Sequence, residues 1–361
     1  MLIHHATGKV VPETAYDRDL ALDFIKGVLI ILVIVGHLIQ YILYQNEGFW
    51  DSACFKWIYM FHMPLFMAIS GYLSCRALLV KSFTQAIGDR ATQLLVPMLF
   101  WCSLLESLKF TVFPRSTDAP GTVLQLLNEF VGTYWFVWAA FICFILTKTI
   151  SIFNRWSPPW TLFGSVILVV LAPLTFSIFP LIKYMYPFFC LGFSFAQSRE
   201  RWTSIMRSHR LFLIMSASIA AMMCFLAWRN DTYVYNNLAL VQDLQSAKNV
   251  LLMFLGSAAA SVVMIEVLLR CWNIGRSNRV VRFVAAKLGP STLVLYLIQG
   301  TVFRLMDSIQ YGELWDPTMR SAAAAFLGTM IVAVALAVRW TVRDIPYLSQ
   351  LMLGVPPRSI R

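Results

Sequence analysis

Charge is what this 361-residue chain has least of: Asp, Glu, Lys and Arg together make up 13% of it, about half the share in a soluble globular domain. That scarcity excludes an ordinary water-soluble enzyme. Cysteine is sparse and unpatterned. Cys54, Cys75, Cys102, Cys143, Cys190, Cys224 and Cys271 include no Cys-x-x-Cys pair, which argues against a disulfide framework or a thiolate metal cluster, so no metal is expected. No internal repeat, low-complexity tract or soluble extension is visible. The net charge of +11 therefore has no separate domain in which to serve nucleic-acid binding. The first apolar run is not a cleavable signal peptide either: it is too long, it contains Lys26 and His37, and no small-residue cleavage site follows.

What is abundant is apolar: 59% of the chain is hydrophobic and its mean hydropathy is +0.68. Windows of roughly 20 apolar residues, the length that crosses a bilayer core, fall at Leu20–Tyr44, Trp57–Leu79, Ala91–Phe113, Trp135–Phe153, Trp160–Phe179, Ile182–Ala196, Leu211–Trp228, Val250–Leu269, Leu288–Met306 and Ser321–Val342. The expected fold is an all-α polytopic membrane protein of about ten transmembrane helices. The fifth and sixth windows are separated only by Pro180 and Leu181, and the sixth contains Pro187 and Gly192, so a re-entrant hairpin is the alternative there.

Lys and Arg resist translocation and so set orientation. With the amino terminus inside, every second connection is rich in them, as in Arg199, Arg201, Arg207 and Arg210, or Arg270, Arg276, Arg279, Arg282 and Lys287. The outer segments hold only Lys56, Arg115, Lys183, Arg229, Lys248, Arg304 and Arg320. Both termini are expected to be cytoplasmic. Residues 1–19 then form an amino-terminal segment, 20–342 the membrane domain and 343–361 a carboxy-terminal tail.

Ionisable side chains at membrane depth cost several kcal/mol unless they face a partner or a wet cavity, so each marks a candidate site. At about 1.5 Å per residue, His37 lies about 10 Å below the outer end of its span and His62 about 8 Å below the same face. Glu106 and Gln299 fall in that layer too, and Lys26 lies about 16 Å beneath His37, with Asp23 a turn lower. Each has a plainer reading. A membrane histidine can bond a backbone carbonyl, Glu106 can pair with Lys109, and Asp23 with Lys26. Tyr134, Trp135 and Trp138 can belong to an interfacial aromatic belt.

Lys26 and His37 fit an R/K-x10-H pattern, followed by FHMPLFMAISGYL, by Arg76, by Arg90-x-x-x-Leu94-Leu95-Val96-Pro97, by Tyr134-Trp135-Phe136 and by Ser291-x4-Tyr296-Leu297-x-Gln299. Over essentially its whole length the chain resembles acyltransferase family 3, the integral membrane O-acyltransferases that modify cell-surface and secreted glycans, including the fucose O-acetylase-like group. The resemblance implies transfer of an acyl group, acetyl by default, from cytoplasmic acetyl-CoA to a hydroxyl of a glycan or lipid-linked sugar at the bacterial inner membrane. It implies His37 and His62 as catalytic residues, with Lys26, Ser70, Tyr72, Arg76 and Arg90 holding the donor. Glu106, Trp135 and Gln299 would face the acceptor; its recognition is expected from the outer connections, above all 114–134 and 229–249, with Trp135, Trp228 and Tyr233 as stacking candidates. The ninth span often ends in YLxH in this family, whereas here Gln299 closes it. An amide neither donates nor takes up a catalytic proton, so a hydrogen-bonding role is expected there. The alternative is an exporter of polysaccharide or lipid-linked sugar, although the chain lacks the paired broken helices of transporters.

Overall fold

The computed structural model describes residues 19–112, 127–153, 158–233, 241, 243–306 and 316–355. Among them the chain is helical without strands: α1 (Leu20–Leu38, continued by a π turn, Ile39–Leu43), α2 (Ala53–Val80), α3 (Phe83–Val112), α4 (Trp135–Phe153), α5 (Pro158–Leu171), α6 (Phe179–Gln197), α7 (Arg199–Ala227), α8 (Leu244–Gly275), α9 (Arg279–Met306), α10 (Pro317–Val342) and α11 (Pro346–Leu353). Eight of these are long and apolar enough to cross a membrane. The protein is an all-α, multi-pass membrane protein.

Starts are set by capping side chains that satisfy otherwise orphaned N–H groups. Asp19 accepts from Ala21 and Leu22, Asp243 from Ser246, and Asp316 from Met319 just ahead of Pro317. Several helices begin well outside the apolar windows. α3 starts at Phe83 rather than near Ala91, and α8 at Leu244 rather than near Val250, because amphipathic turns extend past the bilayer core at both ends. The same effect lengthens α9, whose first turns pass through a π turn (Val284–Leu288) and a 3-10 turn (Gly289–Ser291).

The boundary between the fifth and sixth spans needs correction. α5 stops at Leu171, not Phe179, and residues 172–178 form the connection. At 14 residues, α5 is about 21 Å long, short of a bilayer core. α6, at 19 residues, is long enough, but it is the interior helix of the bundle, with Lys183, Tyr184 and Tyr186 all buried. It lies backbone to backbone against α2. A Cβ on Gly192 would stand 1.8 Å from the Ala68 carbonyl oxygen, and one on Gly71 2.0 Å from that of Phe189. Glycine at both positions is what permits this approach, the usual device for helices packing in lipid.

α1 nests against the bent start of α9 in the same manner. A Cβ on Gly289 would lie 2.2 Å from the Asp23 carbonyl oxygen. After residue 343 the chain folds back rather than trailing away: α11 packs on α3, where the Trp101 indole N–H donates to the Met352 carbonyl at 3.2 Å. Residues 1–18 and 356–361 lie outside the described residues.

Candidate active site

His37 on α1 and Gln299 on α9 meet directly, with Nδ1 of the imidazole 2.5 Å from Oε1 of the amide. Gln299 is buried to 1% exposure, while His37 is half-buried. A carboxamide oxygen only accepts, so facing Oε1 the ring carries its proton on Nδ1, and Nε2 is the basic nitrogen of that tautomer. Phe303 and Tyr41 pack on the ring at centroid distances of 5.3 and 6.0 Å, and they stack on one another. The imidazole is thereby fixed in orientation and tautomer, as a general base requires.

His62 on α2 is buried and donates Nδ1–H to the Ile58 carbonyl one turn back, at 2.7 Å. Its ring meets Tyr59 edge-on at 4.7 Å. Tyr59 in turn packs on α1 at Gly36, where a Cβ would come within 2.7 Å of its ring. His62 thus approaches α1 beside His37 through an intervening phenol ring.

Beneath this layer lies a cavity of about 210 Å³ whose polar lining comes chiefly from Lys26, Ser70, Arg90, Thr292 and Tyr296. Helical periodicity links it to the histidine layer. Lys26, Ile30 and Val33 line it from α1, and His37 continues that i, i+4, i+7 face one turn above Val33. On α9, Thr292 and Tyr296 line it, and Gln299 is the next residue on that face. On α2, Ser70 and Phe66 line it, and His62 lies one turn beyond Phe66. Three walls therefore run upward to His37, Gln299 and His62. Lys26 pairs with Asp23 at 2.7 Å. Arg90 donates from Nη2 to Ser70 Oγ at 3.1 Å, its guanidinium lies over the Phe144 ring, and its buried Nε has no protein partner.

The remaining sequence candidates lie elsewhere. Arg76 is exposed on the inner part of α2, and half-buried Tyr72 packs near Phe195; neither lines this cavity. Trp135 is half-buried and edge-on to Phe136, which does line it. Tyr134 is wholly buried, its hydroxyl bonded to Thr301 at 2.8 Å, and the Trp138 indole donates to the Phe130 carbonyl; these two rings are interior anchors. Trp228 and Tyr233, expected as exposed stacking platforms, are only 3% and 2% exposed. They close an aromatic cluster with Trp50 and Phe55, because the outer ends of α2, α7 and α8 converge there. Residues 113–126 and 234–240, the middle of the two connections expected to recognise the acceptor, lie outside the described residues.

Glu106 enters an ion network. Lys109 bonds Glu106 at 3.3 Å and Glu129 at 2.7 Å, and Glu129 also takes bonds from Arg304 at 3.0 Å and Thr133 at 2.6 Å. Glu129 was not singled out in the sequence, where one acid in a polar connection carries no signal. Burial opposes its ionisation, but the Lys109 and Thr133 hydrogen bonds and the Arg304 charge hold its carboxyl below the usual range. Among the described residues no three His, Cys, Asp or Glu side chains converge as a metal site needs.

Fold and site together define a multi-pass membrane protein with a fixed imidazole above a cation-ended interior cavity. The family model described as Acyltransferase domain matches residues 19–338, and the chain belongs to that family of membrane acyltransferases. It is 53% identical over 348 residues to Nodulation protein NolL of Mesorhizobium japonicum, covering 96% of this chain and 93% of that one. It is 52% identical over 348 residues to Nodulation protein NolL of Sinorhizobium fredii, covering 96% and 95%. No solved structure matches.

Proposed function

We propose that this protein is an O-acetyltransferase of the inner membrane, with both termini cytoplasmic, that moves acetyl from cytoplasmic acetyl-CoA to a hydroxyl of a secreted or surface glycan or lipid-linked sugar. That its relatives are nodulation proteins supports an acceptor that serves nodulation. The observation that carries this reading is the face of α1 that runs from Lys26, in the cavity it lines with Ser70 and Arg90, up to His37 and its bond to Gln299.

The chemistry divides between the two ends. At the inner end Arg90, whose rigid fork suits phosphate oxygens, and Lys26 offer positive charge to the donor's phosphates. The rise from Lys26 to His37 is about 16 Å, a gap an extended pantetheine arm bridges along apolar walls. At the upper end His37 Nε2 takes the proton of the acceptor hydroxyl, and its oxygen bonds the acyl carbon. The carbon–sulfur bond breaks, and the departing thiolate recovers the proton from the imidazolium. Gln299 keeps the ring aligned and stabilises the Nδ1–H as charge develops. Base catalysis of this kind contributes about 10²–10⁴-fold.

Mass spectrometry of secreted and surface glycans from a deletion strain tests the proposal. The glycan is expected to lose one acetyl substituent per modified sugar. Loss of a different acyl group would reassign the donor, and an unchanged glycan would reject the proposal.

A further inference from the structure

The carboxy-terminal helix borders a second cavity, which meets the first only at Leu293 among their lining residues. It measures about 340 Å³ and lies between the start of α9, the end of α10 and α11, lined by Arg339, Arg343, Asp344 and Ser349 among apolar residues. Ser349 is 3% exposed, and its hydroxyl has no protein partner although it lines this space. A buried hydroxyl left unbonded carries a desolvation cost, so this atom points to a ligand. Arg339 already commits one N–H to Ser291 Oγ at 2.7 Å, which holds its guanidinium at the cavity wall. Arg343 pairs with Asp344 at 3.1 Å.

The charged residues that line the cavity are two guanidiniums and one carboxylate, a lining that suits the single negative charge of a phosphodiester. A nucleotide carrying several negative charges would meet Asp344 as a repulsive neighbour. Next in the chain to the lining residues Arg339 and Pro346, Trp340 is 79% and Tyr347 85% exposed, the amphipathic rings expected at headgroup level. Leu348 and Leu351 on α11 are also exposed, beside where acyl chains would run. We infer that this cavity binds the phosphate of an anionic phospholipid from the inner leaflet.

The test uses the full-length protein purified in mild detergent and examined by native mass spectrometry with phosphatidylglycerol or phosphatidylcholine. Phosphatidylglycerol should be retained about tenfold more than phosphatidylcholine. The double variant Arg343→Gln, Ser349→Ala should lower that retention at least fivefold, and adenosine 3′,5′-bisphosphate should not displace the lipid. Thermal unfolding guards against misfolding. Without lipid, Ser349→Ala should be as stable as the parent, since it removes an unbonded hydroxyl, yet it should lose most of the midpoint increase that phosphatidylglycerol gives the parent. Equal retention of both lipids, equal retention by parent and variant, or displacement by the nucleotide would each overturn the inference.

Discussion

Replacing Gln299 by methionine removes the amide oxygen that His37 faces while keeping the length and much of the volume of a side chain buried to 1% exposure. The lost bond, 2.5 Å between Nδ1 and Oε1, matters most when the ring is an imidazolium. Hydrogen bonds to charged groups contribute about 1.5–3 kcal/mol, and about 1.4 kcal/mol corresponds to tenfold in rate. Gln299→Met should therefore lower kcat about 10- to 150-fold. KM for acetyl-CoA should stay within about twofold, because Gln299 is not among the residues lining the cavity proposed for the donor; a fall in kcat at constant KM marks an interaction made only in the transition state. The assay is transfer of radiolabelled acetyl to membrane glycan in vesicles. Gln299→Glu, which keeps an acceptor at the same reach, should recover most of the rate. Should Gln299→Met retain kcat within about threefold of the parent, or change KM alone, the assignment of His37 as an amide-held base is wrong.

Other outcomes follow from neighbouring contacts. Arg90→Lys keeps a charge but loses the fork that reaches Ser70, so KM for acetyl-CoA should rise about tenfold with kcat little changed; an unaltered KM in steady-state kinetics would remove Arg90 from donor binding. Gly192→Ala puts a Cβ 1.8 Å from the Ala68 carbonyl and should force α2 and α6 apart at a cost of about 3 kcal/mol, visible as a lower unfolding temperature in detergent; stability within about 0.5 kcal/mol of the parent would deny that close contact. Glu129, whose carboxyl is held low in the folded state, contributes stability above its unfolded pKa of roughly 4.3, and that contribution is lost as pH falls through the lower folded value. The midpoint gap between parent and Glu129→Gln should thus be steady from pH 7 to about 5 and close on further acidification; a gap that persists undiminished into strong acid would contradict the network.

Sequence reading recovers heights in the membrane better than directions around a helix. Rise per residue put His37 and Gln299 in one layer, and the structure joins them. The same arithmetic put Glu106 there, and its side chain makes the Lys109 pair that the i, i+3 spacing offered as its plainer reading; height alone says nothing of azimuth. Arg76 shares the inner level with Arg90, but only Arg90 turns into the cavity. Lys26, Ile30, Val33 and His37 were legible as one face from their spacing alone; that Ser70 and Tyr296 complete the cavity depends on which helices α1 packs between. α6 reads weakly as a span because a helix buried in protein rather than lipid tolerates Lys183, Tyr184 and Tyr186, and their partners, such as the Ala172 carbonyl for Lys183 and Ser257 for Tyr184, lie on other segments. α11 is too short to register in any window of membrane length. Trp228 and Tyr233 are aromatic residues at a helix end, a pattern shared by exposed belts and buried clusters; only the packing of Trp50 onto Tyr233 decides between them.

The central claim is that His37 carries the acyl transfer. Its most direct measurement is complementation of a deletion strain with His37→Ala, scoring three quantities together: acetyl content of the glycan by mass spectrometry, amount of glycan at the surface, and amount of protein in the membrane. The account predicts that acetylation is abolished while surface glycan and protein abundance match the parent. Persistent acetylation at normal abundance, or glycan missing from the surface altogether, would contradict it.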